Sequence, residues 1–211
     1  QERSRPRMGV AVDGFMVHVR DEGWKEVKGG CVFDVELRTG TEPHEEQAHA
    51  VNNSYVAVLG GPRPFGDRLW AEASRRELPR ALDSIVLGDG AAWIWRLTGE
   101  HFGSSVQAVD WYHAKSHLCR AANLAFGEGS AEARRWVRRQ ETTLYEGQVW
   151  RVVEAIRGLA RQHRSVAQEL RTEAAYFQKH QGRMQYMTLR EDGWPIGSGM
   201  IESGAKQYGA R

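Results

Sequence analysis

Three acidic residues lie in settings where a carboxylate needs a partner. Asp13 interrupts the apolar run 9–17, Asp89 ends the apolar run that begins at Ser84, and Glu202 lies near the start of a predicted helix. Burying a carboxylate in an apolar strand is costly unless it is paired or binds a metal. Two strand-end aspartates and a distant helical glutamate are the all-oxygen set that Mg²⁺ or Mn²⁺ prefers. The set predicts phosphoryl-transfer chemistry on a nucleic acid backbone.

Hydrophobic patterns predict the elements that position these side chains. Apolar runs and helical spacing alternate in the order three strands, helix, strand, helix, strand. This order predicts an α/β fold with a mixed five-stranded sheet, in which the first three strands are antiparallel. Parallel crossovers would place Asp89 and Asp110 at the carboxyl ends of strands, where open α/β sheets hold their sites. The predicted strands are 9–17, 24–37 with a break at Gly29-Gly30, 55–59, 85–87 and 106–109, and the predicted helices are 65–82 and 91–102.

Residues from Trp111 to about Tyr186 have a helical pattern with two apolar stripes. Such stripes are typical of buried helix faces. They predict an all-helical insertion between the fifth strand and the glutamate helix, and the glycine- and proline-containing segment 193–197 predicts a loop before that helix. The two stripes are Val149, Val152, Val153, Ile156 and Leu159/Ala160, and Val166, Leu170, Ala174 and Phe177.

Four motifs occur in a fixed order along the chain. They are Val12-Asp13-Gly14, Gly88-Asp89-Gly90-Ala91-Ala92-Trp93-Ile94-Trp95, Val109-Asp110-Trp111-Tyr112-His113-Ala114 and Gly197-Ser198-Gly199-Met200-Ile201-Glu202-Ser203. From about Gly9 to its end, the chain resembles bacterial insertion-sequence transposases of the ISKra type, which are relatives of the Mutator-like group. The resemblance implies a ribonuclease H-like fold with an Asp-Asp-Glu (DDE) triad, here Asp13, Asp89 and Glu202. It also implies that Asp110 and His113 match a Cys/Asp-x-x-His element that orients a triad carboxylate or contacts DNA.

The resemblance implies a DDE transposase that cleaves transposon-end DNA and joins it to target DNA. Two Mg²⁺ or Mn²⁺ ions are expected, with Asp13 bridging both, Asp89 holding one and Glu202 the other. One ion would activate the attacking oxygen, and the other would stabilise the leaving oxygen. The implied partners are transposon ends, target DNA and further copies of the chain in a homo-oligomer, without a membrane. The expected domains are a ribonuclease H-like core at 1–114, the all-helical insertion at 115–190, and the catalytic glutamate loop and start of the last helix at 191–211.

Composition sets the remaining expectations. The chain has 211 residues, of which 41% are hydrophobic and 27% charged, as in ordinary globular proteins. Two cysteines, Cys31 and Cys119, fit a reducing bacterial cytoplasm, where the protein would associate with the nucleoid. The net charge is +2, but residues 127–190 hold 12 Lys/Arg against 7 Asp/Glu. That excess predicts phosphate contacts from the helical insertion, or else only solvated helix faces.

Several alternatives stay open at this point. His113 and His117 lie four residues apart on a predicted helix, where Asp110 or Cys119 would complete a zinc site. Asp13 would otherwise have a structural role, and Asp89 would serve as a helix N-cap. The rival functions are a ribonuclease H-like nuclease that cuts without joining and a degenerate, non-catalytic DNA-binding remnant. The chain begins with Gln1 and nine residues follow Glu202, so we expect a fragment that joins DNA strands poorly on its own.

Overall fold

The computed structural model describes residues 6–38 and 48–199. This part of the chain has an α/β architecture with a mixed five-stranded sheet flanked by helices, as the element order predicts. The sheet has the order β3-β2-β1-β4-β5, in which β1 pairs antiparallel with β2 and parallel with β4, and β2 pairs antiparallel with β3. Its strands are β1 (Arg7–Val19), β2 (Gly23–Leu37), β3 (Ala48–Leu59), β4 (Ser84–Gly88) and β5 (Val106–Val109).

Strand β2 runs without a break through Gly29-Gly30, so the predicted interruption is wrong. Side chains from other elements use the space beside both glycines. A Cβ at Gly29 would lie 2.6 Å from the Phe15 ring, and a Cβ at Gly30 would lie 2.8 Å from Leu69. These glycines therefore let an aromatic ring and a helix approach the sheet, which is an ordinary use of glycine inside a strand.

Strand β3 begins at Ala48, earlier than the predicted residue 55. Its pairing with β2 shifts register between Val32 and Asp34. Polar side chains stabilise this irregularity: the Asn52 side-chain amide donates to Asp34 over 2.9 Å, and the Arg76 guanidinium donates to Asp34 over 2.6 Å and to the Val32 carbonyl over 2.7 Å. The polar residues that suggest a loop in the sequence instead tie a bulged strand to the end of a helix.

Helix α1 (Pro62–Arg75) ends well before the predicted residue 82. Glu77 adopts a left-handed φ of 62°, and Pro79 follows it in a short 3₁₀ turn. Since proline cannot donate a backbone hydrogen bond, the α-helix does not continue through it. Helix α2 (Ala92–His101) matches the predicted element to within a residue at each end. Both helices pack on one face of the sheet through Phe65, Leu69, Ile94 and Leu97, against Val10, Val12, Val32 and Val86.

The chain divides into two compact units. The sheet unit contains the described residues up to Ala108 and those from Gly193 onward, and the helical unit contains Val109–Asp192. The domain boundaries expected from the sequence stay a prediction. The helical unit consists of α3 (Trp111–Phe126), α4 (Ala131–Tyr145), α5 (Val149–Gln162), α6 (Ala167–His180) and α7 (Tyr186–Glu191).

The apolar stripe predicted on α5 is confirmed. Every member of that stripe is buried, and Leu170, Ala174 and Phe177 of the second stripe are buried on α6. Gly127 and Gly147, with φ values of 86° and 74°, separate α3 from α4 and α4 from α5. Among the described residues, no helix combines the length and the apolar character needed to cross a membrane.

Candidate active site

Asp13 and Asp89 come together through the register of two parallel strands. In the sheet unit, β1 pairs with β4 up to Val12 opposite Gly88. Asp13 follows Val12 inside β1, and Asp89 directly follows the last residue of β4, so their backbones are neighbours where β4 ends. Adjacent strands lie about 4.8 Å apart. Two residues separated by most of the sheet unit in sequence are therefore placed where their carboxylates can share a ligand.

The turn that follows β4 fixes the start of the Asp89 side chain. Gly90 has a φ of 103°, a conformation that favours glycine. The Asp89 carboxylate accepts a 2.7 Å hydrogen bond from the Ala91 amide. Ala91 is the N-cap residue of α2, so Asp89 stabilises the turn before the helix rather than capping the helix itself. Asp89 is half-buried, which keeps its carboxyl group within reach of solvent ions.

Asp13 has a similar local anchor. Its carboxylate accepts a 2.7 Å hydrogen bond from the amide of Gly14, and its side chain is half-buried. Protein groups occupy the space beside Gly14. A Cβ at Gly14 would lie 2.9 Å from a Glu26 carboxylate oxygen and 3.6 Å from the Lys28 ammonium. Gly14 therefore lets an ion pair approach β1 next to Asp13.

Lys28 is a residue of this region that sequence reasoning missed. It lies directly opposite Gly14 in the β1–β2 pairing, and only 4% of its surface is exposed. Its ammonium forms an ion pair with Glu26 and lies 4.6 Å from the centre of the Trp93 ring. A lysine inside the buried run 27–33 is the signal that points to it, because a buried ammonium requires partners.

Glu202, the third residue of the predicted triad, lies outside the described residues. The segment that leads toward it is anchored to the sheet unit. Trp194 and Ile196 are buried, the Arg7 guanidinium lies 3.8 Å from the centre of the Trp194 ring, and Arg7 donates to the Gly193 carbonyl over 3.4 Å. The predicted loop is thus attached to β1 through Arg7, and it is buried up to Ser198.

Asp110 and His113 belong to the helical unit. Asp110 is 1% exposed and caps α3, because its carboxylate accepts a 2.9 Å hydrogen bond from the His113 amide. Burial, with smaller contributions from Tyr176 and Asp110, raises the pKa of the Tyr186 hydroxyl well above its ordinary value. The structure thus gives Asp110 a local role at a helix start, and the predicted contact with DNA or a triad carboxylate stays a prediction.

His117 is engaged by a buried carboxylate on another helix. Its Nδ1 lies 2.6 Å from Glu173, which is 5% exposed and also lies 3.3 Å from the Arg120 guanidinium. The Tyr176 ring stacks on the imidazole with 3.6 Å between the ring centres. Across residues 6–38 and 48–199, no three His, Cys, Asp or Glu side chains form a group that would hold a metal ion.

Exposed arginines concentrate on two surfaces of the helical unit. On α4, Arg135, Arg138 and Arg139 share one face with Thr142 and line an open cavity of about 630 Å³. A second cavity, of about 410 Å³, lies between α5 and α6 and is lined by Arg157, Arg161 and Arg171 around Ala160, Ala174, Ala175 and Gln178. Guanidinium groups suit phosphate oxygens, which they bind through paired N–H donors.

The remaining aromatic and thiol groups add two observations. Trp136 is buried, and three further tryptophans are partly buried, namely Trp93, Trp95 and Trp111. Trp150 on α5 is 60% exposed, and the Arg151 guanidinium lies 5.2 Å from the centre of its ring. Burial raises the pKa of the Cys31 thiol to about 12, so this thiol stays protonated at neutral pH and is a poor nucleophile.

Comparison with known proteins does not supply a family. No protein-family model matches the chain, and no curated protein matches it.

Proposed function

We propose that this chain is the catalytic domain of a DDE transposase with a ribonuclease H-like fold. The observation that carries the proposal is the register that brings Asp13 and Asp89 to neighbouring positions on adjacent parallel strands. The strand order supports it, since three antiparallel strands followed by a parallel β4 are the start of a ribonuclease H-like sheet. Carboxylates at the end of such a sheet suit divalent-ion chemistry.

The donor set fits Mg²⁺ or Mn²⁺. Asp13 and Asp89 offer carboxylate oxygens, and Glu202 would supply a third carboxylate by resemblance. Two bound metal ions would activate a water or a DNA 3′-hydroxyl for an in-line displacement at phosphorus, and they would stabilise the charge of the leaving oxygen. The chain itself contributes position: the backbone bonds from Gly14 and Ala91 hold one oxygen of each aspartate, which reduces the freedom of both side chains before a ligand arrives.

The helical unit would bind DNA phosphates. Arg138, Arg139, Arg161 and Arg171 have no ion-pair partner among the described residues, so their charge is directed to solvent or to an anion. Binding through such groups releases counterions and weakens as salt rises. Two other lining arginines, Arg135 and Arg157, form ion pairs along their own helices with Glu132 and Glu154, so the expectation depends on the four unpaired ones.

Calorimetric titration with Mn²⁺ and nicking of supercoiled plasmid test the proposal together. Asp13→Asn and Asp89→Asn should each abolish the metal site and the metal-dependent nicking, while asparagine keeps the oxygen that accepts the backbone bond. Removing one of two neighbouring carboxylates should preserve or raise thermal stability without metal. The matched control is Asp21→Asn, because Asp21 is exposed in the β1–β2 turn and asparagine tolerates its φ of 65°.

The same assays separate the rival functions. Metal-dependent cleavage without strand joining, measured with the inverted repeats that flank the coding sequence as substrate, would favour a nuclease. DNA binding without Mn²⁺ binding would favour a non-catalytic remnant. Mn²⁺ affinity that is unchanged in both Asp13→Asn and Asp89→Asn would contradict the proposed site outright.

A further inference from the structure

We infer that a groove between α1 and α2, here called the Trp93 groove, holds one nucleotide of a DNA single strand. Its lining residues are Pro62, Arg63, Trp93, Arg96, Leu97, Glu100 and His101, around a cavity of about 440 Å³. The inference rests on the proposed function and goes further, because it names the surface of the sheet unit that takes the strand and the kind of strand that fits.

The position of the Trp93 groove follows from the sheet. Helix α2 begins three residues after Asp89, and Trp93 is in its first turn. Helix α1 begins three residues after β3 ends. The last residues of β3 pair with β2 around Gly29, and Gly29 pairs with Asp13 of β1. Both helices cover the face of the sheet that carries Val12 and Gly14, whereas Asp13 alternates to the other face with Gly29 and Phe15. The Trp93 groove is therefore a surface separate from the Asp13 carboxylate.

The charges of the Trp93 groove suit a phosphodiester. Arg63 and Arg96 are exposed, and within the described ranges neither has an ion-pair or hydrogen-bond partner. Lys28 adds a buried ammonium against Trp93, although Glu26 neutralises it. The acidic residues nearby are Glu100, one helical turn beyond Arg96, and Asp67, which lies 3.9 Å from His101. The two unpaired guanidinium groups thus belong to the N-terminal halves of α1 and α2, and each acidic residue lies one turn further along the same helix.

The apolar wall and the size of the groove suit a single strand. Pro62, Trp93 and Leu97 offer a surface for a sugar or base, and the Trp93 ring is held edge-on to Phe65 with 5.9 Å between ring centres. A cavity of about 440 Å³ is of the size that takes a small ligand such as one nucleotide. Aromatic rings combined with arginines are the usual means by which proteins bind single strands without sequence preference.

Fluorescence anisotropy with a labelled single-stranded oligonucleotide, repeated over a series of salt concentrations, tests the inference on the full chain. Replacing both arginines (Arg63→Ala with Arg96→Ala) should weaken binding about tenfold and reduce the magnitude of the salt slope by about 1.4, which corresponds to two lost phosphate contacts on a single strand. Arg68→Ala is the matched control, since Arg68 is exposed on the same helix α1 but does not line the groove. Circular dichroism should show that all variants are folded.

Photo-crosslinking locates the strand directly. An oligonucleotide that carries 5-iododeoxyuridine should join to wild-type protein at Trp93, in the tryptic peptide 81–96. The inference alone would be overturned if the double variant bound as well as the wild type, or if Arg68→Ala lost as much affinity. It would equally be overturned if the double variant lost more affinity for duplex than for single strands, or if the crosslinks avoided Trp93. Absence of any DNA binding by the wild type would overturn the inference and the proposed function together.

Discussion

Carboxylates have opposite surroundings in the two units. In the sheet unit, Asp13 and Asp89 are half-buried neighbours, so two like charges share one end of the sheet. In the helical unit, the buried Glu173 carboxylate is within hydrogen-bond distance of the His117 imidazole and forms an ion pair with Arg120. Like charges in proximity destabilise each other until a cation joins them, whereas an enclosed ion pair is part of the folded structure. Under the proposed function, a cation would bind between Asp13 and Asp89, whereas the Glu173 cluster contributes to the stability of the fold.

The two units also differ in how they use glycine. A Cβ at Gly9 in β1 would overlap the Phe33 ring, whereas a Cβ at Gly158 in α5 would meet only an Arg161 nitrogen at 3.8 Å. The first glycine makes room for a buried ring that the sheet requires. The second leaves ordinary contact distance around it, so side-chain packing does not explain it.

Gly9→Ala should give the largest effect on stability. The added methyl group enters the space of the Phe33 ring, which is fully buried and has nowhere to move without disturbing β2. Overpacking of this kind costs about 2–3 kcal/mol. Urea denaturation followed by circular dichroism measures the change. Phe33→Leu in the Gly9→Ala background should recover part of the loss, and a neutral Gly9→Ala would show that the sheet is not as tightly packed as the comparison requires.

Glu173→Ala should give the next largest effect. The substitution leaves His117 and Arg120 without their shared acceptor and removes a buried side chain, which should cost about 1–3 kcal/mol. Glu154→Ala is the control, because Glu154 forms an exposed ion pair with Arg157 and such pairs contribute about 0–1 kcal/mol. Melting temperatures of Glu173→Ala, Glu154→Ala and Asp13→Asn, measured by thermal denaturation, compare the two kinds of carboxylate directly. If Asp13→Asn destabilises the protein as much as Glu173→Ala does, the contrast between the two kinds of carboxylate is wrong.

The sequence predicts those parts of the fold that depend on local pattern. The strand 106–109 has the predicted bounds, and the stripe on α5 is buried as its spacing indicates. It fails where the decisive contact comes from elsewhere in the chain. The break at Gly29-Gly30 is wrong because Phe15 and Leu69 fill the space beside those glycines, and β3 is longer than predicted because Arg76 binds the polar residues of its bulge.

The residues of the candidate site also differ in whether the sequence alone predicts them. Asp13 and Asp89 are visible in the sequence because a carboxylate in an apolar run is unusual by itself. Arg63 and Arg96 are not visible in this way, since arginines on helices are common and their role depends on which side chains lie beside them. Glu202 rests on the resemblance alone, as it lies outside the described residues.

Gly158→Ala should give the smallest effect, and it should stabilise the protein. Gly158 is inside α5, where glycine costs about 1 kcal/mol relative to alanine, and the new methyl group would meet no atom closer than 3.8 Å. An increase of about 0.5–1 kcal/mol in the free energy of unfolding is expected in urea denaturation. Gly99→Ala is the informative companion, because Gly99 is inside α2 of the sheet unit with no atom within 4 Å of its Cβ position. Equal stabilisation by both substitutions would show that the helix, and not the unit, decides the cost of a glycine. A loss of stability in Gly158→Ala alone would instead indicate that the packing around α5 is tighter than the structure describes.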